Sequence, residues 1–269
     1  MKKTLLALGA VTVVYGGALD AFKGTEGTLR IAGGTAHIPK MKIVAGEIAE
    51  VAPNLKIAIA GGGSGVGIKK VGEGLVDIGN AGRKASDKEI AKYGLVLHKW
   101  AIDGIAVVVN PVNPVHDLKP ATIANIFSGK ITNWKTLGGA DMPIHLYTRD
   151  EASGTRKVFW KKVLHKGAIA ATANFVTSNG AMKRAIAGDE MGIGYMSAGF
   201  IDASVAGVAI DGAAPTRDNI QQGKYPHARG LYSITKGEAK GTARTFIDYL
   251  LSDHVQHEIV PAKGFIPVR

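Results

Sequence analysis

Residues 55–79 read Leu55-Lys56-Ile57-Ala58-Ile59-Ala60-Gly61-Gly62-Gly63-Ser64-Gly65-Val66-Gly67-Ile68-Lys69-Lys70-Val71-Gly72-Glu73-Gly74-Leu75-Val76-Asp77-Ile78-Gly79. Leu55, Ile57 and Ile59 alternate with other residues, as one face of a strand does. After a glycine-rich turn, Ile68, Val71, Gly72 and Leu75 fall on one side of a helix, and residues 76–79 are a short strand. Strand, turn, helix and strand in such close succession mark a sheet whose strands run mainly parallel, with helices covering it.

The same rhythm extends in both directions. Upstream, residues 29–32 read as a strand, and Met41, Val44, Ala45 and Ile48 keep the i, i+3, i+4, i+7 spacing of a helix face. Downstream, residues 105–109 form an unbroken apolar run that ends in Asn110-Pro111, as a buried strand leaving its sheet would. The pattern then restarts, with a helix over 120–127, a strand over 144–148, helices over 154–164 and 179–187, and strands over 192–196 and 207–210. Residues 231–235 read as a strand and 239–251 as a helix carrying Ala243, Phe246, Ile247 and Leu250 on one face. No internal repeat is visible. The expected fold is α/β in two lobes, each a mainly parallel sheet flanked by helices, with a ligand cleft between them. Residues 28–108 and 231–269 make the first lobe and 109–230 the second, with hinges near 109–111 and 230–233.

Composition narrows the setting. The chain has 269 residues, 46% of them hydrophobic, and no cysteine. It therefore has no disulfide, no thiolate metal site and no N-terminal cysteine to carry a lipid. The formal charge of +11 favours anionic partners. The basic residues are scattered singly, without the aromatic-basic clusters of a strand-binding surface, so no nucleic acid is expected. Met1-Lys2-Lys3 and the uncharged run Thr4 to Leu19 have the basic and apolar regions of a secretory signal peptide, and the run is too short to span a bilayer comfortably. Residues 1–22 are assigned to that leader, with Gly16 and Ala18 marking a cleavage site; a retained N-terminal anchor is the alternative. The expectation is a soluble, monomeric, periplasmic or secreted protein without a lipid anchor or cofactor.

In open α/β sheets, ligands bind where strands end in loops that lead into helix N-termini. Three such loops are rich in glycine and hydroxyls: Gly33-Gly34-Thr35-Ala36, Gly63-Ser64-Gly65 and Ser153-Gly154-Thr155, the last four residues beyond Arg149. Each offers backbone N–H groups, a hydroxyl and the positive end of a helix dipole to an anion. Singly, each is also what an ordinary N-cap or turn looks like; three at equivalent positions beside an arginine are more than that. Residues 61–67 lack the Gly-Lys-Ser/Thr ending of a nucleotide-binding loop and the dinucleotide glycine spacing. Val66 replaces the second glycine of a nucleophile elbow around Ser64. His254 and His257 make no His-Glu-x-x-His metal motif. Asp189-Glu190 reads as a solvated pair rather than a catalytic one. No base is poised beside a nucleophile.

The stretch Ile126-Phe127-Ser128-Gly129-Lys130-Ile131-Thr132-Asn133-Trp134, followed by Arg149-Asp150-Glu151-Ala152-Ser153-Gly154-Thr155-Arg156, resembles the phosphate-binding subunits of high-affinity phosphate ABC transporters. The order of Gly33-Gly34-Thr35, Gly63-Ser64-Gly65, Val76-Asp77-Ile78-Gly79 and Gly192-Ile193-Gly194-Tyr195 extends the likeness over nearly the whole chain after residue 28. The resemblance implies a type II periplasmic binding-protein fold that holds inorganic phosphate between its lobes and hands it to a membrane permease. It also implies ligand contacts from Thr35, Ala36 and Ser64 in one lobe and from Arg149, Ser153, Gly154 and Thr155 in the other. Phe127 and Trp134 read as packing residues.

One departure stands out. Longer members carry a proton-accepting aspartate after the Asp-x-Gly strand, where this chain has Asn80-Ala81-Gly82-Arg83, with Gly82 in its place. Shorter relatives carry an arginine nearby, which makes Arg83 a candidate second cation and Asn80 a candidate contact; a surface or packing role for Arg83 remains the alternative. The rival readings are a sulfate, molybdate or tungstate binder, a secreted basic protein that adheres or scavenges, and an enzyme acting on phosphate esters.

Overall fold

The computed structural model describes residues 17–269, so most of the expected leader lies outside the described residues. β1 (Gly27–Gly33) and β2 (Leu55–Gly62) pair in parallel, joined by α1 (Ile38–Val51). α1 buries Met41, Val44 and Ile48, the apolar stripe read from the sequence. α2 (Ser64–Gly72) returns the chain to β3 (Ile78–Ala81), which lies parallel to β1 on its other side. α2 buries Ile68, Val71 and Gly72, whereas Leu75 falls beyond its end and is exposed.

An unexpected helix, α3 (Asp87–Tyr93), follows. It starts at a capping box in which Ser86 Oγ accepts from Glu89 N–H and the Glu89 carboxylate accepts from Ser86 N–H. Then comes β4 (Leu95–Val109), followed by β5 (Asp117–Leu118), α4 (Pro120–Phe127), β6 (His145–Thr148), α5 (Gly154–Lys162), β7 (Asn174–Phe175) and α6 (Asn179–Ala187). β8 (Gly192–Ser197), β9 (Ala206–Ile210), α7 (Arg217–Gln221), β10 (Ala228–Lys236) and α8 (Gly241–Leu250) complete the order.

The strands run β2-β1-β3-β10-β4-β8-β6-β7, with β9 on β4 and beside β5. Pairs built by helical crossovers, β1 with β2 and β3 and β6 with β8, are parallel as expected. The antiparallel pairs all involve β4 or β10, the strands that cross between the lobes. β4 is the pivot: it pairs with β10 up to Gly104, then with β8 and β9 from Ile105 onward.

Trp100 and Ala101 pack in a first core with Phe22, Leu29, Met41, Ile78, Leu231 and Phe246. Ile105, Val107 and Val109 pack in a second with Ile123, Phe127, Trp134, Phe159, Ile193 and Tyr195. The chain therefore changes lobe within β4 near Gly104, upstream of the expected hinge at 109–111, because one strand serves both lobes. The return crossing lies between Ala228 and Leu231 in β10.

The start of the folded part also shifts. Phe22 is fully buried and sits edge-on to Tyr249 with ring centroids 5.8 Å apart, and Leu19 packs on the same core. A chain cut after residue 22 would lose a core aromatic, at a cost of about 3–5 kcal/mol by analogy with large-to-small core substitutions. The described part of the expected leader, 1–22, thus overlaps residues that pack on the first core. Among the described residues no helix is long and apolar enough to cross a membrane.

Candidate oxyanion site

The first lobe supplies two loops. β1 ends at Gly33, where φ is +130° and a Cβ would stand 2.2 Å from the Asn80 carbonyl oxygen; only glycine lets β1 and β3 approach so closely. Gly34 N–H donates to that carbonyl at 2.7 Å, which pins the following turn with Thr35 and Ala36 at the head of α1. β2 runs into Gly63, the N-cap of α2, and Ser64 opens that helix.

The second lobe answers with β6, which ends at Thr148, and α5, which starts at Gly154 with Ser153 as N-cap. Ser153 Oγ accepts from Arg156 N–H at 3.1 Å, the ordinary helix-capping contact. The loops meet directly: Gly65 N–H donates to the Ala152 carbonyl at 2.9 Å, and a Cβ on Gly154 would lie 2.1 Å from Ser64 Oγ.

Between them lies a cavity lined by Gly34, Thr35, Ala36, Gly63, Ser64, Gly82, Arg149, Ser153, Gly154, Thr155 and Arg229. Its volume is about 10 Å³, close to a single water-sized position and far below the roughly 300–1,000 Å³ of sites for drug-sized ligands. The size suits a small ion.

Arg149 is 1% exposed. Its backbone N–H donates to Tyr195 OH at 3.1 Å and its Nη2 to the Thr177 carbonyl at 3.0 Å, while Nε and Nη1 are buried without a partner. Burial pushes its pKa down, with Asp150 opposing, and a guanidinium so placed still keeps its charge. The result is a buried cation holding two unused N–H donor atoms at the wall of a small cavity.

Arg229 is the second guanidinium there. Its Nε and Nη2 donate to Asp103 Oδ2 at 3.0 and 2.8 Å, and its Nη1 to the Gly82 carbonyl at 3.2 Å and Thr155 Oγ1 at 2.9 Å. Burial pushes the Asp103 carboxyl up, and the Arg229 charge opposes that shift. Asp103 Oδ1 accepts from Ser197 Oγ at 2.8 Å. Behind the first loop, His37 is fully enclosed, and burial, then the Arg229 charge, lower its pKa to about 3. It is neutral at any ordinary pH and receives Trp100 Nε1–H at 3.3 Å on Nδ1.

Of the residues singled out from the sequence, Thr35, Ala36, Ser64, Arg149, Ser153, Gly154 and Thr155 are brought to this one cavity. Asn80 and Arg83 are not. Asn80 lies beneath the loops, its side-chain oxygen accepting from Ser233 Oγ at 2.9 Å. Arg83 turns to Glu89, which accepts from Nη1 at 2.8 Å and Nη2 at 2.7 Å, and the Glu89 carboxyl is held down to about 2 by that bond. The cation expected at Arg83 is therefore committed elsewhere, and the one at the cavity is Arg229. Nothing in the local sequence marks Arg229, since its partner Asp103 is 126 residues away. Phe127 and Trp134 are core residues, as expected. Asp189 is not free in solvent: it accepts from Tyr147 OH at 2.8 Å and pairs with His145 Nδ1 at 2.9 Å. Among the described residues no His, Cys, Asp or Glu cluster could hold a metal ion.

Residues 21–254 match the family model of the PBP superfamily domain. The chain is 41% identical over 254 residues to the phosphate-binding protein PstS of Bacillus subtilis (strain 168), covering 93% of this chain and 84% of that protein. It is 29% identical over 273 residues to PstS of Pseudomonas aeruginosa PAO1, covering 91% of this chain and 84% of that one. Among solved structures, a putative phosphate ABC transporter substrate-binding protein with bound phosphate from Clostridium perfringens superposes with a TM-score of 0.85 at 34% identity, over 90% of this chain and all of that one. An ABC-type phosphate transport receptor from Vibrio cholerae gives 0.71 at 31% identity, again over 90% of this chain and all of the other.

Proposed function

Because the chain belongs to the PstS-type phosphate-binding proteins of the PBP superfamily, we propose that it captures inorganic phosphate in the interlobe cavity and delivers it to the membrane permease of an ABC importer. The family is a substrate-binding transport component and not an enzyme. The observation that carries the reading is Arg149: a buried guanidinium at the cavity with Nε and Nη1 unpartnered. A cation so placed is costly unless an anion joins it.

Around it, Thr35, Ser64, Ser153 and Thr155 supply hydroxyls, and the starts of α2 and α5 supply backbone N–H groups and dipole. Micromolar affinity corresponds to about −8 kcal/mol. Hydrogen bonds to charged groups contribute roughly 1.5–3 kcal/mol each, so several of them reach that value after the cost of closing the lobes. Asn80 and Arg83 act as supports in this reading, and Arg229 joins the ligand set. Capture occurs outside the cytoplasmic membrane, after removal of an N-terminal leader.

Calorimetry of the refolded, ligand-free protein against phosphate, sulfate and molybdate tests the assignment. Heat of binding with phosphate at a single site is expected. Absence of phosphate binding by a folded protein would overturn it.

A further inference from the structure

Thr35 belongs to the first lobe and to the wall of the cavity; Asn179 opens α6 in the second lobe, 144 residues away. The two residues meet across the gap. Thr35 Oγ1 accepts the backbone N–H of Asn179 at 3.2 Å and its Nδ2–H at 3.0 Å. A hydroxyl oxygen has two lone pairs and one hydrogen, so two such donors fill its capacity to accept. What remains to Thr35 is the hydrogen, which has no protein acceptor among the described residues.

The donors on Asn179 are themselves held in place. Its side-chain oxygen accepts from Ser197 N–H at 3.0 Å, which settles the orientation of the amide and turns Nδ2 toward Thr35. Its backbone N–H is available because the first N–H groups of a helix have no partner within it, and the N-cap Ser178 takes Ala181 N–H instead. Asn179 and Ser197 are fully buried, and Ser197 Oγ donates to Asp103 Oδ1 at 2.8 Å, so the amide is backed by the ion pair on the crossing strands. The turn into α6 also holds the chief cation, since the Thr177 carbonyl, two residues before Asn179, accepts from Arg149 Nη2. Asn179 itself is not among the residues that line the cavity.

We propose that Asn179 is a positioning residue for anion capture: it meets Thr35 when the lobes close, occupies both lone pairs of that hydroxyl and so turns its hydrogen to the ligand. The inference rests on the phosphate reading above and adds to it a group that acts without touching the anion. With the lobes apart, the Thr35 hydroxyl rotates and can accept as well as donate. With them closed it is preset as a donor, which removes an ordering cost from binding. Hydrogen bonds to a charged partner are the strong ones, so loss of the preset donor lowers affinity by about 10- to 100-fold.

The test is calorimetry of phosphate binding to the refolded, ligand-free parent, Asn179→Leu, Thr35→Val and the double variant, with urea unfolding of each in the absence of phosphate. Each single variant is expected to bind phosphate about 10-fold or more weakly. The double variant should match the weaker single within about threefold, because the two residues act through one hydroxyl. A defect of folding alone lowers the number of binding sites and leaves the Kd of the folded molecules unchanged, so Kd separates positioning from support. Asn179→Ala, which empties space where leucine fills it, repeats the measurement if Asn179→Leu does not fold. Asn179 variants within about threefold of a phosphate-binding parent, or losses that multiply in the double variant, would overturn the inference and leave phosphate capture standing. A folded parent that ignores phosphate would overturn both.

Discussion

Replacing Arg149 with methionine removes the charge and keeps much of the side chain's bulk, so it separates what the residue does for the ligand from what it does for the fold. Within the protein the guanidinium makes one side-chain hydrogen bond, Nη2 to the Thr177 carbonyl, while Nε and Nη1 are buried with no protein partner. A neutral hydrogen bond contributes about 0.5–1.5 kcal/mol, and each unmet buried group costs about 1–3 kcal/mol. Their difference predicts that Arg149→Met unfolds in urea at the same midpoint as the parent or a higher one, measured without phosphate. With phosphate the two free donors become charge-assisted bonds at roughly 1.5–3 kcal/mol each. The variant should therefore lose about 3–6 kcal/mol of binding, or on the order of 10²–10⁴-fold in Kd. Calorimetry gives the affinity, and thermal unfolding with and without ligand gives the linked stabilisation, which should shrink in step. A folded Arg149→Met protein that keeps phosphate affinity within tenfold would refute the reasoning, and so would one markedly less stable than the parent in the absence of ligand.

Three further outcomes follow from other parts of the molecule. Asp103→Asn strands the Arg229 charge in a site where the pair is almost fully enclosed, and should cost about 3–5 kcal/mol in urea unfolding; a cost below about 1 kcal/mol would refute that the fold depends on the pair. Arg83→Ala should leave phosphate affinity within about twofold, since Arg83 is paired with Glu89 outside the cavity lining. The depressed Glu89 pKa, about 2, stabilises the fold above the ordinary carboxylate range and ceases to do so as pH falls toward 2, so Arg83→Ala should flatten that acid loss by about 1 kcal/mol after solvent screening; a pH profile of unfolding identical to the parent's would contradict this. Small-angle scattering should show a more compact protein with saturating phosphate than without it, and identical profiles for demonstrably ligand-free and loaded protein would argue against lobe closure.

How much could be read from the chain depended on how far apart the interacting residues lie. Ser153-Gly154-Thr155 was legible as a helix start because the N-cap, its amide partner Arg156 and the helix it opens are all within a few residues. The stripes of α1, α2 and α8 were legible because each buries one face. α3 escaped since it buries no residue fully, so periodicity had nothing to register; its Ser86-x-x-Glu89 capping box was the available signal. That box also accounts for Arg83: the glutamate that closes the cap sits six residues on and takes the guanidinium. The first half of β4 hid for another reason. Its residues show no clean alternation in burial, because it carries a bulge opposite Leu231 and Tyr232. Arg229, Asp103 and the pair Thr35–Asn179 are long-range matches with no local pattern, and only folding brings them into view.

Contacts across the cleft set how an anion drives closure in the proposed function. Gly65 N–H on the Ala152 carbonyl and the two Asn179 donors on Thr35 Oγ1 join the lobes with neutral hydrogen bonds, and Arg229 Nη1 adds a charged link between the Gly82 carbonyl and Thr155 Oγ1. An anion held between Arg149 and the hydroxyls of both lobes adds charge-assisted bonds at roughly 1.5–3 kcal/mol each. It meets both sets together only when the lobes meet, so its differential affinity for the closed form is most of its affinity. A few kcal/mol of such differential binding carries a near-balanced equilibrium almost wholly to one side. Saturating phosphate is therefore expected to compact the protein, and Arg149→Met to weaken that compaction, as read by small-angle scattering; equal compaction of the two proteins would refute the role given to Arg149.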